Sequence, residues 1–335
     1  EKELDKPAEA LAEWLALSGE ELSHDPNILV PMERLYRQLD DAEGLCSLLE
    51  VVPETLDPLA LDAQLSCHYE VAELSEERLS DVPRALRALE RAALIAANPM
   101  RALNWQAKIL RAGHDHHALL DVLEGLTRPG LDNPERLEHL LEKAKLHHEL
   151  GEYGRARELY TTVLDEQHDY LEAREGLEGL VEQGVEVEES ARRLEPVYTV
   201  EHDYQKLVWV LSKRLDVAED PDKRKILMRR IGEHYETHLD RPQQAFEMAR
   251  SILLEDPTDI GVRVWFEQLA ERLDLNDELA STYVELATKS SPPNDLQYHR
   301  WAAKLFEEKL GDLDRAAEQY RAILKLRDHD ERALM

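Results

Sequence analysis

Apolar residues recur at the three- and four-residue spacing of an α-helix along nearly the whole chain. Leu140, Ala144 and His147 fall on one helical stripe, and Ala156 and Tyr160 fall on the next. Only a short turn separates these two stripes, and helices that are joined so closely pack antiparallel. The alternation of apolar and polar residues that marks a strand does not persist anywhere. The pattern therefore predicts an all-α fold built from helical hairpins.

Several hairpins repeat one another in sequence. Residues 72–85, 232–245 and 303–316 can be superimposed almost residue by residue, from a leading small residue, through a charged helical turn and a leucine, to a closing alanine. A fourth stretch, residues 144–156, fits when one residue is removed. Such similarity at intervals of a few tens of residues is typical of arrays in which each unit stacks on its neighbours.

The repeats predict about eight antiparallel hairpins. Their turns are expected near Asp40, Ser80, Gly113, Gly151, His202, Asp240, Asp274 and Gly311. The interval between Ala156 and Leu207 is longer than the others, so extra helical material is expected there. We therefore divide the chain into N-terminal repeats (residues 1–170), an irregular helical junction (171–200) and C-terminal repeats (201–335).

At this point the residues resemble the tetratricopeptide repeat family, in the divergent form found in long bacterial scaffold proteins. In the best unit, residues 137–170, Ala144 matches the family's small residue, Gly151 its turn, Ala156 its second-helix alanine and Tyr160 its aromatic residue. The same roles recur at Gly311, Ala316 and Tyr320. The resemblance implies a right-handed α-solenoid that serves as a scaffold or as the sensing arm of a larger machine.

The resemblance also implies where a partner binds. In this family the concave face is lined by outward-facing residues of each first helix, which by register are Tyr69, Glu73, Glu76, Lys145, His148, Arg229, Glu233, Glu236, Arg300, Lys304 and Glu307. Charges of both signs would hold an extended peptide through ion pairs and hydrogen bonds. For any single residue of this set, an ordinary solvated helix face is an equally good interpretation. The tryptophans, including Trp105, Trp265 and Trp301, are interpreted as packing between helices.

The charge of the chain narrows the class of partner. Asp and Glu number 71 against 41 Lys and Arg, for a formal net charge of −30. Such a field repels nucleic acid and anionic lipid, so we exclude both as main ligands. It favours a basic protein or peptide, although solubility of an extended surface explains the acidity at least as well. The charge of the chain does not decide whether it also self-associates.

Two groups of histidines have a spacing that could suit a metal ion. His234 and His238 are four residues apart, a spacing that places both on one helical face and suits a divalent metal. Residues 114–117 contain three histidines, and His147 and His148 follow in the next hairpin. Because no further ligand is specified, a solvated helix face and a polar turn are the preferred interpretations. We predict no metal site.

The sequence contains no recognisable catalytic or cofactor motif. Phosphate-binding loops, nucleophile elbows and CxxC pairs are absent, and Gly176 and Gly179 have no strand before them. Cys46 and Cys67 lie in helical segments and are interpreted as buried thiols. We therefore expect a protein that is not an enzyme and has no cofactor.

Three functional hypotheses remain. The first is a non-catalytic scaffold that binds a peptide or partner domain. The alternatives are a regulatory or sensor arm of a larger effector, such as a protease or signalling enzyme, and a structural self-assembling array. The chain begins with Glu1, and residues 328–335 look like the start of another unit, so we expect a piece of a longer array. With no signal peptide or apolar run of about 18 residues, a cytoplasmic location is favoured and the compartment is left open.

Overall fold

The computed structural model describes residues 6–18, 25–57, 59–291 and 293–326, and all regular secondary structure in these ranges is helical. The predicted all-α repeat class is confirmed. The described helices are α1 Pro7–Ser18, α2 Pro26–Leu39, α3 Ala42–Thr55, α4 Leu61–Glu77, α5 Val82–Ile95, α6 Met100–Gly113, α7 His116–Leu126, α8 Arg136–Glu149, α9 Tyr153–Glu166, α10 Leu171–Glu182, α11 Val187–Glu201, α12 Tyr204–Val217, α13 Pro221–Thr237, α14 Pro242–Glu255, α15 Ile260–Leu273, α16 Asn276–Lys289, α17 Asn294–Glu308 and α18 Leu313–Leu326. The expected start of a further unit, at residues 328–335, lies outside the described residues.

The chain divides into two compact units, Glu1–Leu159 and Tyr160–Met335, and the division falls within α9. The predicted helical junction at residues 171–200 contains two helices, α10 and α11, with only residues 183–186 between them. Ala173, Leu177 and Leu180 are fully buried along one face of α10, so this segment has an ordinary helical period. Helix α10 is the extra material expected in the long interval.

The hairpin turns lie where the sequence predicts them, with a shift of one residue at one turn. At each turn a residue adopts positive φ, which ends the first helix in a left-handed conformation. These residues are Asp40, Ser80, His114, Gly151, His202, Asp240, Asp274 and Gly311. In several hairpins the next residue is an aspartate that caps the second helix, as Asp81 does by accepting the backbone N–H of Arg84.

The hairpin turns have two lengths, which explains why residues 144–156 align with the other repeated stretches only when one residue is removed. At Ser80 the backbone N–H of Asp81 donates to the carbonyl of Ser75, and equivalent bonds occur around Asp240 and Gly311. At Gly151 the N–H of Glu152 donates to the carbonyl of His147, which is one residue nearer along the chain. The turn at Gly151 is therefore one residue shorter, as the alignment required.

Small residues occupy the seams between helices in both units. Ala72, Ala85 and Ala92 are fully buried in the first unit, and Ala245 and Ala270 in the second. Because a methyl side chain takes little space, neighbouring helices approach closely along these stripes. Larger apolar residues fill the spaces between, and each unit has its own core clusters.

Arginine–carboxylate pairs join neighbouring hairpins. In the first unit Arg84, whose side chain is 8% exposed, pairs with both Glu43 and Glu50 of the preceding hairpin at 2.9 Å. Similar pairs in the second unit join Arg230 to Glu195 at 2.8 Å and Arg315 to Asp277 at 2.6 Å. An exposed pair stabilises a fold by only about 0–1 kcal/mol. The pairs nevertheless occupy many of the chain's cations.

The two units repeat one another in register. Helices α4, α5, α6 and α7 begin at Leu61, Val82, Met100 and His116, and α13, α14, α15 and α16 each begin 160 residues later. The α9–α18 pair shows the same offset. Residues of the two units can therefore be compared position by position.

We predict that Gly176→Ala destabilises the protein. Gly176 lies within α10, and a Cβ there would overlap the ring of Tyr160, which is only 2% exposed. Overpacking costs about 1–3 kcal/mol, and alanine recovers up to about 1 kcal/mol of helix propensity. Urea denaturation should show a net loss of about 1–2 kcal/mol. As a matched control, Gly113→Ala at the end of α6 meets open space and should be neutral or stabilising. Equal effects of the two changes would contradict this interpretation.

Candidate functional site

In the first unit, two of the predicted partner-binding residues lie against a tryptophan of the next hairpin. The ring of Tyr69 is parallel to that of Trp105, with centroids 6.4 Å apart, and the guanidinium carbon of Arg101 lies 4.0 Å from the Tyr69 centroid. Glu76 Oε2 accepts a hydrogen bond of 2.5 Å from Trp105 Nε1. Tyr69 and Glu76 therefore join α4 to α6. Glu73, on the same helix, is exposed.

The two predicted residues of α8 differ in their surroundings. Lys145 is exposed, whereas His148 is half-buried. The ring of Tyr153 meets that of His148 edge-on, with centroids 5.6 Å apart. His148 is thus held at the hairpin turn, and Lys145 is the more accessible of the two.

In the second unit, Glu236 repeats the role of Glu76. Its carboxylate accepts a hydrogen bond of 2.7 Å from Trp265 Nε1 and pairs with Arg272 at 2.9 Å. Both glutamates precede their tryptophan by 29 residues, a signal that the sequence carried and our reasoning missed. Trp105 and Trp265 each donate one hydrogen bond across the seam between two hairpins.

Four predicted residues of α13 and α17 remain exposed. Arg229 lies 3.3 Å from Asp259, and Glu233 follows one turn later on α13. On α17, Lys304 lies 3.7 Å from Glu308, and Glu307 accepts a 2.8 Å hydrogen bond from the Tyr320 hydroxyl.

Arg300 differs from the other predicted residues of α17. It is half-buried, and its Nε atom is enclosed. Arg300 is therefore a poor choice for probing a surface, because changing it would also disturb the packing around it.

Exposed aliphatic residues lie on the same two helices as Arg229 and its partner Asp259 or next to them in sequence, and sequence reasoning missed them. Ile226 on α13 is 59% exposed, and Ile260 and Val264 on α15 are 69% and 40% exposed. The signal was available, because each falls on the polar stripe of its helix rather than on the apolar one. We call Ile226, Arg229, Glu233, Ile260 and Val264 the α13–α15 face.

A pocket of about 280 Å³ opens between α15, α16 and α17. Buried Tyr283 forms part of its wall, and the Tyr283 hydroxyl donates a 2.5 Å hydrogen bond to Glu267. Burial, followed by this carboxylate, raises the pKa of Tyr283, so the phenol stays protonated and keeps donating. The lining residues are Glu267, Glu271, Asn276, Leu279, Tyr283, Trp301, Lys304, Leu305, Glu308 and Lys309. Lys304 alone belongs to the predicted set.

His234 and His238 form an aromatic cluster with Tyr204. The rings of Tyr204 and His238 stack 3.8 Å apart, and the two histidine centroids are 5.5 Å apart. Burial, and then the charge of His238, lowers the pKa of His234. Within the described ranges, no group of three or more His, Cys, Asp or Glu side chains is arranged to hold a metal ion.

The other histidine group is divided among separate contacts. His116 lies 3.9 Å from Glu149, and His147 lies 2.7 Å from Glu152. The carboxylate–imidazole contact at His147 lowers the pKa of Glu152. These side chains therefore support two different helix junctions.

Of the helices in the described residues, none combines the length and the apolar character needed to span a bilayer.

No family model and no curated protein matches this chain. Solved structures similar to it include the C-terminal part of a TPR repeat-containing protein from Cytophaga hutchinsonii, at 15% identity and a TM-score of 0.33, covering 76% of this chain and 93% of that one. A tetratricopeptide repeat protein from Parabacteroides merdae is 18% identical, with a TM-score of 0.26 and coverage of 80% and 95%. YrrB, described as a TPR protein with an unusual peptide-binding site, is 18% identical, with a TM-score of 0.23 and coverage of 61% and 92%. All three carry the name of the repeat family that the sequence resembles.

We predict that Trp265→Phe weakens the fold by about 1 kcal/mol, because it removes the donor to Glu236 while leaving that carboxylate paired with Arg272. Trp105→Phe removes the equivalent donor in the first unit and should cost a similar amount. Urea denaturation of each variant measures the loss. If both variants were as stable as the wild type, these hydrogen bonds would have no net stabilising effect.

We predict that stability falls as the pH drops below about 6.5, the ordinary pKa of histidine. The folded protein favours neutral His234, whose pKa is lowered, so the unfolded chain binds the proton more readily and gains on acidification. His234→Gln should give a shallower decline between about pH 7 and 5. Some decline should remain, because burial also lowers the pKa values of His68 and His139. Circular dichroism at pH 8 checks that the variant is folded, and an unchanged slope would contradict the prediction.

Proposed function

We propose that this chain is a non-catalytic protein-interaction scaffold and that the α13–α15 face binds an extended peptide or partner domain. The observation that carries the proposal is the exposure of Ile226, Ile260 and Val264 on α13 and α15, which the ion pair of Arg229 with Asp259 joins. Aliphatic side chains grouped on otherwise polar stripes of two helices are typical of an interaction surface.

Burial of these side chains would supply the affinity. Covering an exposed aliphatic side chain fully contributes about 1.5–3 kcal/mol. The charged groups of Arg229 and Glu233 would orient the partner, because their hydrogen bonds have defined directions. Both lie on α13, a helix ordered before the partner arrives, which lowers the entropy cost of binding.

The partner is expected to be basic. Many arginines of the described residues are held in pairs between hairpins, such as Arg84 with Glu50 and Arg230 with Glu195. These arginines are therefore engaged within the chain. The formal net charge of the whole chain is −30. The remaining acidic field would speed the approach of a basic partner and favour its binding at low salt.

We predict that Ile260→Asp lowers partner affinity without lowering stability. Ile260 is the first residue of α15, where an added carboxylate suits the helix dipole. Loss of its apolar contact should weaken binding about tenfold. The partner is recovered from native lysate at low and moderate salt, identified by mass spectrometry, and its affinity is then measured with purified variants.

Leu313 provides a matched control. It is the first residue of α18 and is 68% exposed, against 69% for Ile260. Leu313→Asp should leave both affinity and melting temperature unchanged. If the partner bound the two variants equally well, the α13–α15 face would not be its binding site.

A further inference from the structure

One seam of the first unit is closed by a bidentate ion pair. Arg111 of α6 reaches Glu142 of α8, with its Nε and Nη2 atoms each 2.6 Å from a carboxylate oxygen. Nearby, His116 of α7 lies 3.9 Å from Glu149 of α8. In this unit, therefore, cationic or protonatable side chains of α6 and α7 lie against two carboxylates of α8.

The second unit has a carboxylate at the position of Glu149 but not at that of Glu142. It has neither the arginine nor the histidine that face these two carboxylates in the first unit. The offset of 160 residues places Glu271 at the position of Arg111 and Asn276 at that of His116. On α8 and α17 the match of residues 144–156 with 303–316 places Trp301 at the position of Glu142 and Glu308 at that of Glu149. Lys145, Leu146 and Glu149 recur as Lys304, Leu305 and Glu308, so the register is well supported.

The pocket between α15, α16 and α17 opens where the ion pair is missing. A carboxylate and an indole cannot pair as Arg111 and Glu142 do. Among the described residues, Glu271 makes no ion pair, although Lys309 also lines the rim. The other carboxylates are engaged, since Glu267 pairs with Arg263 at 2.7 Å and Glu308 lies 3.7 Å from Lys304.

We propose that this pocket binds an arginine side chain of the partner, whose guanidinium lies between Glu271 and Trp301. The inference rests on the proposed scaffold function and names the residue type that this second site recognises. In the first unit the guanidinium comes from Arg111 of the chain itself. In the second unit the partner's arginine would provide it. The pocket, at about 280 Å³, is below the range of about 300–1,000 Å³ for small-molecule sites and suits a single side chain.

Arginine fits the two groups better than lysine does. Its planar fork donates two parallel hydrogen bonds to one carboxylate, and its flat face stacks on an indole. Arg263 covers one face of Trp301, with its Cζ atom 4.3 Å from the ring centroid, so the partner's guanidinium would have to contact the other face or the edge of the indole. A lysine ammonium would keep the charge and lose both the fork and the stacking.

The test uses a blocked pentapeptide with one central arginine, and matched peptides with lysine or with citrulline, which keeps the shape of arginine without its charge. Titration calorimetry with the full chain should show binding of the arginine peptide, with citrulline at least tenfold weaker. Glu271→Gln should lower the affinity for the arginine peptide about tenfold, because it removes a charged hydrogen-bond acceptor. Glu149→Gln, at the position equivalent to Glu308 in the first unit, is the matched control and should bind like the wild type.

A second variant keeps the test independent of folding defects. Glu271→Arg places a cation at the mouth of the pocket, so it should abolish binding of the arginine peptide. Because Glu271 is exposed, the melting temperature should stay close to that of the wild type. The inference is overturned if the arginine peptide does not bind, if citrulline binds equally well, or if Glu271→Gln has no effect. In those cases the scaffold proposal would still stand, provided that Ile260→Asp lowers the affinity for the partner identified from lysate.

Discussion

The close approach of helices along stripes of small residues is the constraint on which the rest of this structure depends. Ala72, Ala85 and Ala245 are fully buried at such seams. Only because neighbouring helices are this near can the indole of Trp105 reach the carboxylate of Glu76 across a seam. Larger side chains at the small positions would separate the helices, and the hydrogen bonds and ion pairs between hairpins would be lost together.

Charge has two separate roles in this chain. Pairs such as Arg84 with Glu50 are partly withdrawn from solvent and join neighbouring hairpins. The excess carboxylates stay at the surface and set the long-range field, which acts on partners rather than on the fold. The same residue types therefore serve packing in one place and recognition in another, and only their neighbours distinguish the two.

The differences between the two units are more informative about function than their likeness. The register of α4–α7 repeats in α13–α16, so the shared positions define what the fold requires, including the glutamate–tryptophan bonds. At Glu271 and Trp301 the second unit departs from the first, and both residues line the pocket between α15, α16 and α17. The exposed Ile226 and Ile260 are a second departure, since Ser66 and Met100 occupy the equivalent positions.

The sequence by itself determined the helices, the positions of their turns and the small residues of the seams, because each depends on spacing within a few residues. Ser80, Gly151 and Gly311 were predicted as turns for that reason, and all three adopt positive φ. Tertiary structure decided which polar residues of the first helices stay accessible, because this depends on contacts between hairpins. Glu76 and Glu233 look alike in sequence, yet one accepts a hydrogen bond from a tryptophan 29 residues away and the other is exposed. That choice depends on which side chain of the next hairpin lies opposite, and helical periodicity carries no information about it.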